Sequence, residues 1–292
     1  IMSVKMIRPN PTACSDIVSY NVLPEHPVSD ELTPWNIGDK VLFGDCNQDV
    51  YQSLTDGNSG NQPDLSPSNW VKTGTSNYWG MFDESVSTYT ENLSSIEIEI
   101  SLNKLTNAVA LINVEAESAR FEVWDIDDSK IMDVTVSLRD YAVPNWYDFY
   151  FEEIEELNNY VSFDIPTVVI GRGKLTLSKA GETVRLGSLV YGSAFEIGYA
   201  EWGVSLGIKD YSSKGDDTFG NTKVIQRGYK DLIDVNINVD KSNIRNVKRT
   251  LTEFRSTPAV WAVDEDRDYT IIFGFYNSFN IVLPHQAWAT CS

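Results

Sequence analysis

The chain has 292 residues, with 42 acidic against 23 basic side chains and a net charge of −19. That length suits two or three domains, and the charge repels nucleic-acid phosphates and anionic membranes, so nucleic acid is excluded as a partner. No apolar run reaches the about 18–20 residues that a spanning helix needs, so no membrane span is expected.

Residues 1–30 carry Pro9, Pro11, Pro24 and Pro27 with little periodicity. They read as an extended arm that packs on something else. The opening Ile1-Met2-Ser3-Val4-Lys5-Met6-Ile7 is too short and unflanked for a secretory signal. Cys14, Cys46 and Cys291 are far apart and odd in number, which argues against a disulfide framework and fits synthesis in a reducing cytosol. Cys291-Ser292 falls inside a strand-like pattern, so the chain is expected to continue.

Residues 31–73 form a unit of their own. Two short apolar runs, Val41-Leu42-Phe43 and Val50-Tyr51-Gln52, read as strands, punctuated by Gly44-Asp45 and Asp56-Gly57-Asn58. Trp35, Tyr51 and Trp70 are spaced through the unit. So small a unit buries little, so its aromatics do most of the packing and some are left over for a ligand. The positions Trp35, Gly38-Asp39, Val41, Tyr51, Ser53, Asn58, Gly60, Pro63 and Trp70 resemble the pattern of small chitin- and cellulose-binding modules. That resemblance implies a three-stranded sheet with glycan stacking on Tyr51 and Trp70 and Trp35 as a third platform. The alternative, that these rings are simply the module's core, stays open. Gly74 to Asn77 reads as a linker.

Residues 75–200 read as strands with turns every ten or so residues, the pattern of a β-sandwich or jelly roll. Ile96-Glu-Ile98-Glu-Ile100-Ser-Leu102 alternates as a half-buried strand does, and Val109 to Val114 is continuously apolar like a central one. Further strands are expected at 121–124, 132–138, 147–151, 168–170, 174–177 and 186–190. The run Glu152-Glu153-Ile154-Glu155-Glu156 reads as a solvated face.

Residues 201–292 change texture. After a turn at Asp217–Asn221 and a strand at Val235–Val239, a helix is expected over Ser242–Phe254. Ile244, Val247, Leu251 and Phe254 share one face, Asp240 or Ser242 caps the start, and Pro258 prevents continuation. Arg245, Lys248 and Arg249 lie off that face. Residues 259–263 and 269–273 read as a hairpin around Asp264–Asp268, with strand continuing from Phe275 to Leu283. The helix should cover a sheet made of the 235–239, 259–263 and 269–283 strands.

The whole chain resembles proteins of tailed bacteriophages. Asn77-Tyr-Trp79-Gly-Met81-Phe82-Asp83, Gly181 to Gly192, Gly207-Ile208-Lys-Asp210-Tyr211-Ser212 and Arg249 to Trp261 carry that likeness. The Trp79 to Asp83 stretch also resembles the opening of discoidin-like, galactose-binding-type sandwiches, and the C-terminal pattern resembles the β-barrel-plus-helix unit of tail tubes and distal tail proteins. The resemblance implies a structural component of a tail tip or baseplate, made in the host cytoplasm and carried in the virion. Its partners would be other tail proteins, copies of itself in a ring through Arg245, Lys248 and Arg249, and host surface glycan. A dedicated receptor-binding lectin and a cell-wall glycan hydrolase are the alternatives.

Catalytic signatures do not appear. His26 and His285 lack cysteine or acidic partners at zinc spacing. Asp125-Ile-Asp127-Asp128 and Asp264-Glu-Asp266-Arg-Asp268 lack the glycine and terminal glutamate of an EF-hand. No nucleophile elbow or phosphate loop is present. The expectation is a non-enzyme with no metal and no cofactor.

Overall fold

The computed structural model describes residues 2–85, 87–139, 156–216, 222–282 and 288–291. The strand expected at 147–151, most of the acidic run at 152–156, the turn at 217–221 and His285 lie outside the described residues.

The described chain is mainly β. Near its start run β1 (Ser3–Pro9) and β2 (Ile17–Tyr20). The small module adds β3 (Lys40–Phe43), β4 (Asp49–Ser53) and β5 (Trp70–Thr75). The middle adds β6 (Thr90–Leu102), β7 (Ala108–Glu115), β8 (Ser118–Trp124), β9 (Lys130–Ser137), β10 (Asn159–Ser162) and the 30-residue β11 (Gly171–Ala200). Next come β12 (Ser205–Asp210), β13 (Ser213–Asp216), β14 (Thr222–Ile225) and β15 (Tyr229–Asp234). The last part holds β16 (Ile237–Asp240), helix α1 (Ile244–Glu253), β17 (Ala259–Ala262), β18 (Ile271–Gly274), β19 (Ile281–Val282) and β20 (Trp288–Cys291).

Thirteen of these strands belong to one curled sheet. It curls because β11 serves more than one layer. Its first residues pair with β6 and β8, its middle with β6 and β7, and its end with β1 and β16. A strand that passes from layer to layer turns the corner of such a packing. The segments expected at 174–177 and 186–190 are therefore one strand, with an irregularity between Ser178 and Thr183. The expected strand at 168–170 does not form: Val168 bridges Thr106, while Val169 and Ile170 point into solvent.

Three buried clusters share this sheet. In β6, Ile96, Ile98, Ile100 and Leu102 are buried, while Glu97 and Glu99 face out and pair with Lys174 and Arg172. β7 is apolar on both faces for a reason: Val109, Leu111 and Val114 enter the sandwich core, and Ala108, Ala110 and Ile112 enter a second core with Ile7, Val260 and Ile271.

The first 30 residues are not an arm. β1 lies between β17 and β11, and Met6 and Ile7 are fully buried. β2 extends the sheet beside β6. β1 approaches β11 so closely that a Cβ on Gly192 would collide with the Arg8 carbonyl, a place only glycine fits. The boundary drawn at 200 is likewise not a structural break, since β11 runs into the C-terminal sheet, whose order is β18-β17-β1-β11-β16-β20-β19.

Helix α1 packs as its apolar face requires. Val247 and Leu251 are buried, and Ile244 and Phe254 pack on the same cluster as Val4, Met6, Ile197 and Val239. The covered sheet differs from expectation, because β1 and the end of β11 are inserted between β17 and β16. The helix start also differs. The Asp240 carboxylate takes the Ser242 N–H at 2.8 Å and its hydroxyl at 2.6 Å, which builds the preceding turn, and Asn243 is the N-cap without a side-chain cap. Of the expected 275–283 strand, only Ile281–Val282 is regular among the described residues.

The cysteine reading is overturned. Cys14 and Cys46 form a disulfide, with Cα atoms 5.8 Å apart, and Cys291 is left over and buried. The bond ties the turn between β3 and β4 to the residues leading into β2. Backbone hydrogen bonds from Leu42 to Pro27 and from Ser29 to Leu42, both 2.8 Å, fasten the module along the same seam.

Candidate functional site

The small module is a three-stranded antiparallel sheet in the order β3-β4-β5, and β5 runs through the stretch read as a linker as far as Thr75. The positions that carry its resemblance hold it together. Gly38 sits at φ 91, a conformation that favours glycine, and Asp39 accepts the Asn36 N–H at 2.7 Å to close the turn. Asn58 is only 3% exposed, so its amide needs partners. It donates to Ser53 Oγ at 3.0 Å and the Asn69 carbonyl at 3.2 Å, and accepts from Asn61 at 2.8 Å.

The three aromatics separate. Trp70 is 3% exposed and donates its indole N–H to the Asn61 carbonyl at 2.9 Å. Its ring faces are spent on the core, so Trp70 is a packing residue and offers no platform, a correction to the reading of it as a glycan contact. Tyr51 is half-buried, edge-on to Phe43 at 6.1 Å. Burial, then the nearby Asp49 charge, push its phenol pKa up, which keeps the hydroxyl a donor. Trp35 is also half-buried and is bridged to Asn58, and its buried Nε1 has no partner among the described residues. Of the three rings, Tyr51 and Trp35 are the two that keep part of their surface open.

Arg245, Lys248 and Arg249 are all exposed on the solvent side of α1. Among the described residues none of them forms an ion pair, whereas Arg120, Arg172 and Arg185 each hold two carboxylates. Several carboxylates of the two acidic loops are engaged by neighbouring groups. Asp125 accepts the N–H groups of Asp127 and Ser129, Asp128 pairs with Arg172, and Asp264 pairs with Arg267.

One feature went unread in the sequence. β12 pairs with β15 and β13 with β14 in nested register, so 205–216 and 222–234 run antiparallel as the two arms of a ribbon. It carries exposed Ile208, Tyr211, Val224, Ile225 and Tyr229. Two β-prone runs flanking a Gly/Asp-rich segment were the available signal.

The chain is thus a mainly β protein with a disulfide-tethered three-stranded module and a projecting ribbon. No family model matches it, and no curated protein does. Among solved structures, it is similar to an F5/8 type C domain from Bacteroides fragilis, at 7% identity and TM-score 0.28 over 39% of this chain and 79% of that one. A Streptococcus pneumoniae fucose binding module aligns at 13% identity and TM-score 0.26 over 39% of this chain and 82% of that one. The lectin binding domain of lectinolysin, complexed with Lewis b, aligns at 11% identity and TM-score 0.26 with the same coverage. At such scores the fold description rests on the strand pairing itself.

Proposed function

We propose that this chain is a structural component of a bacteriophage tail tip or baseplate, assembling through its C-terminal half and presenting the small module to host surface glycan. The observation that carries the assembly role is the 205–234 ribbon. A two-stranded ribbon is marginal alone in water, and the far end of this one leaves Val224 57% and Ile225 49% exposed. Exposed apolar surface and free strand edges of this kind are covered in an assembly. Arg245, Lys248 and Arg249, without ion pairs among the described residues, suit contact with an acidic neighbour, which any second copy of a chain of charge −19 supplies. The tail assignment itself comes from the sequence resemblance. A virion exterior, reached after synthesis in the host cytoplasm, also suits the Cys14–Cys46 bond.

The proposal includes no catalytic step. The test is the mass of the intact protein by light scattering over a range of concentrations, repeated with Val224→Glu and Ile225→Glu. Concentration-dependent rings that the two variants abolish are expected. A protein that stays monomeric and binds glycan on an array would instead be a receptor-binding lectin.

A further inference from the structure

A groove of about 630 Å³ opens where the base of the ribbon overhangs the large sheet, within the size of about 300–1,000 Å³ typical of small-ligand sites. One wall is the ribbon. The register Ile208↔Asp231 and Asp210↔Tyr229 puts Ile208, Asp231 and Tyr229 on one face of it. The other wall is Asn158, Asp268, Tyr269 and Ile272.

The groups differ in how far they are engaged. Asn159 is spent on the floor: its amide donates to the Ile271 carbonyl at 3.1 Å and the Asp268 carbonyl at 3.4 Å. The Asp268 carboxylate is oriented by the N–H groups of Tyr269 at 2.7 Å and Asn158 at 3.3 Å, and keeps lone pairs to spare. Glu115, at the rim, is paired with Arg185. Asp231 has no hydrogen bond or ion pair among the described residues. Tyr229 and Tyr269 leave 64% and 56% of their surface open at the same groove.

We propose that this groove binds a neutral oligosaccharide, at a site separate from the small module and independent of its activity. Sugar hydroxyls are donors, and the Asp231 and Asp268 carboxylate oxygens are acceptors for them. Sugar C–H faces suit the two open tyrosine rings. Among the described residues no lysine or arginine lines the groove, so it offers no cation to sulfated, phosphorylated or sialylated ligands. A peptide strand is disfavoured, because the β18 carbonyl at Ile271 that would receive it already accepts from Asn159.

The experiment uses the intact protein on an array of neutral and anionic glycans, with Tyr229→Ala, Tyr269→Ala, Asp231→Asn and Tyr51→Ala. Because the three groove side chains are exposed, the fold is retained, which circular dichroism checks. Neutral oligosaccharide binding is expected, about tenfold weaker in each groove tyrosine variant and weaker in Asp231→Asn. Four results overturn the proposal: no neutral glycan bound, preference for anionic glycans, binding unchanged in both groove tyrosine variants, or groove substitutions that change the protein's mass by light scattering instead of its glycan affinity. Binding lost only in Tyr51→Ala would put the sugar in the small module and leave the groove without one.

Discussion

Cys14 and Cys46 are joined across 32 positions of sequence, and their bond fastens the small module to the sheet beside β2. In the chain-entropy account, closing a loop of this length stabilises the fold by about 3–4 kcal/mol. Cys14→Ser, or reductant, should therefore lower the denaturant midpoint by a corresponding amount. An identical midpoint with and without reductant would mean that the bond is not formed in solution.

The charged surface of β8 and β9 gives a pH prediction. Asp133 accepts from Arg120 at 2.8 and 2.7 Å and from Lys130 at 3.0 Å, and these bonds hold its carboxyl well below the ordinary range. A lowered folded pKa stabilises fully above the unfolded value, and the contribution is lost as pH falls through the folded one. The stability gap between wild type and Asp133→Asn should be greatest at neutral pH and shrink on acidification. Solvent screening keeps it small. A gap that widens in acid would contradict this sign.

Within the module, Trp70 and Tyr51 should part company. Trp70→Ala removes a buried ring and should cost about 3–5 kcal/mol, visible as lost cooperativity in thermal melts. Tyr51→Ala should keep the wild-type circular dichroism and alter glycan binding alone. Trp35→Phe deletes a buried indole N–H that has no partner among the described residues, so its stability should match or exceed wild type.

Much of this was legible from pattern. The alternation of β6, the doubly apolar β7 and the face of α1 follow from period two and period 3.6 in the residues themselves. What stayed hidden was long-range. β1 pairs with Phe195 and Trp261 through Met6, and no local signal says that a proline-flanked N-terminal segment fills the middle of a sheet built from residues nearly two hundred positions later. The Cys14–Cys46 pairing was invisible for the same reason. Trp70 could not be assigned from its spacing, because a core ring and a sugar platform look alike in a small module. The groove lay beyond reach altogether, since it joins side chains from the ribbon, β18 and the segment before β10.

Helix α1 separates folding from assembly on two faces of one element. Leu251 is 4% exposed and packs with Val247 on the cluster that includes Met6 and Val239. Leu251→Ala should destabilise by about 2–5 kcal/mol, because the side chain is lost to a cavity that the surrounding strands cannot fill. Arg245 and Lys248, exposed and without ion pairs among the described residues, contribute nothing comparable. Reversing both to Glu should change unfolding stability by no more than about 0.5 kcal/mol. The same double variant adds two negative charges where an acidic neighbour is proposed to dock, so it should abolish ring formation by light scattering and incorporation into particles. Raised salt should weaken wild-type assembly in the same direction, since exposed charge contacts are screened. If the double variant folds and assembles as wild type does, the helix face is not the contact, and the ribbon at 205–234 is left as the assembling element.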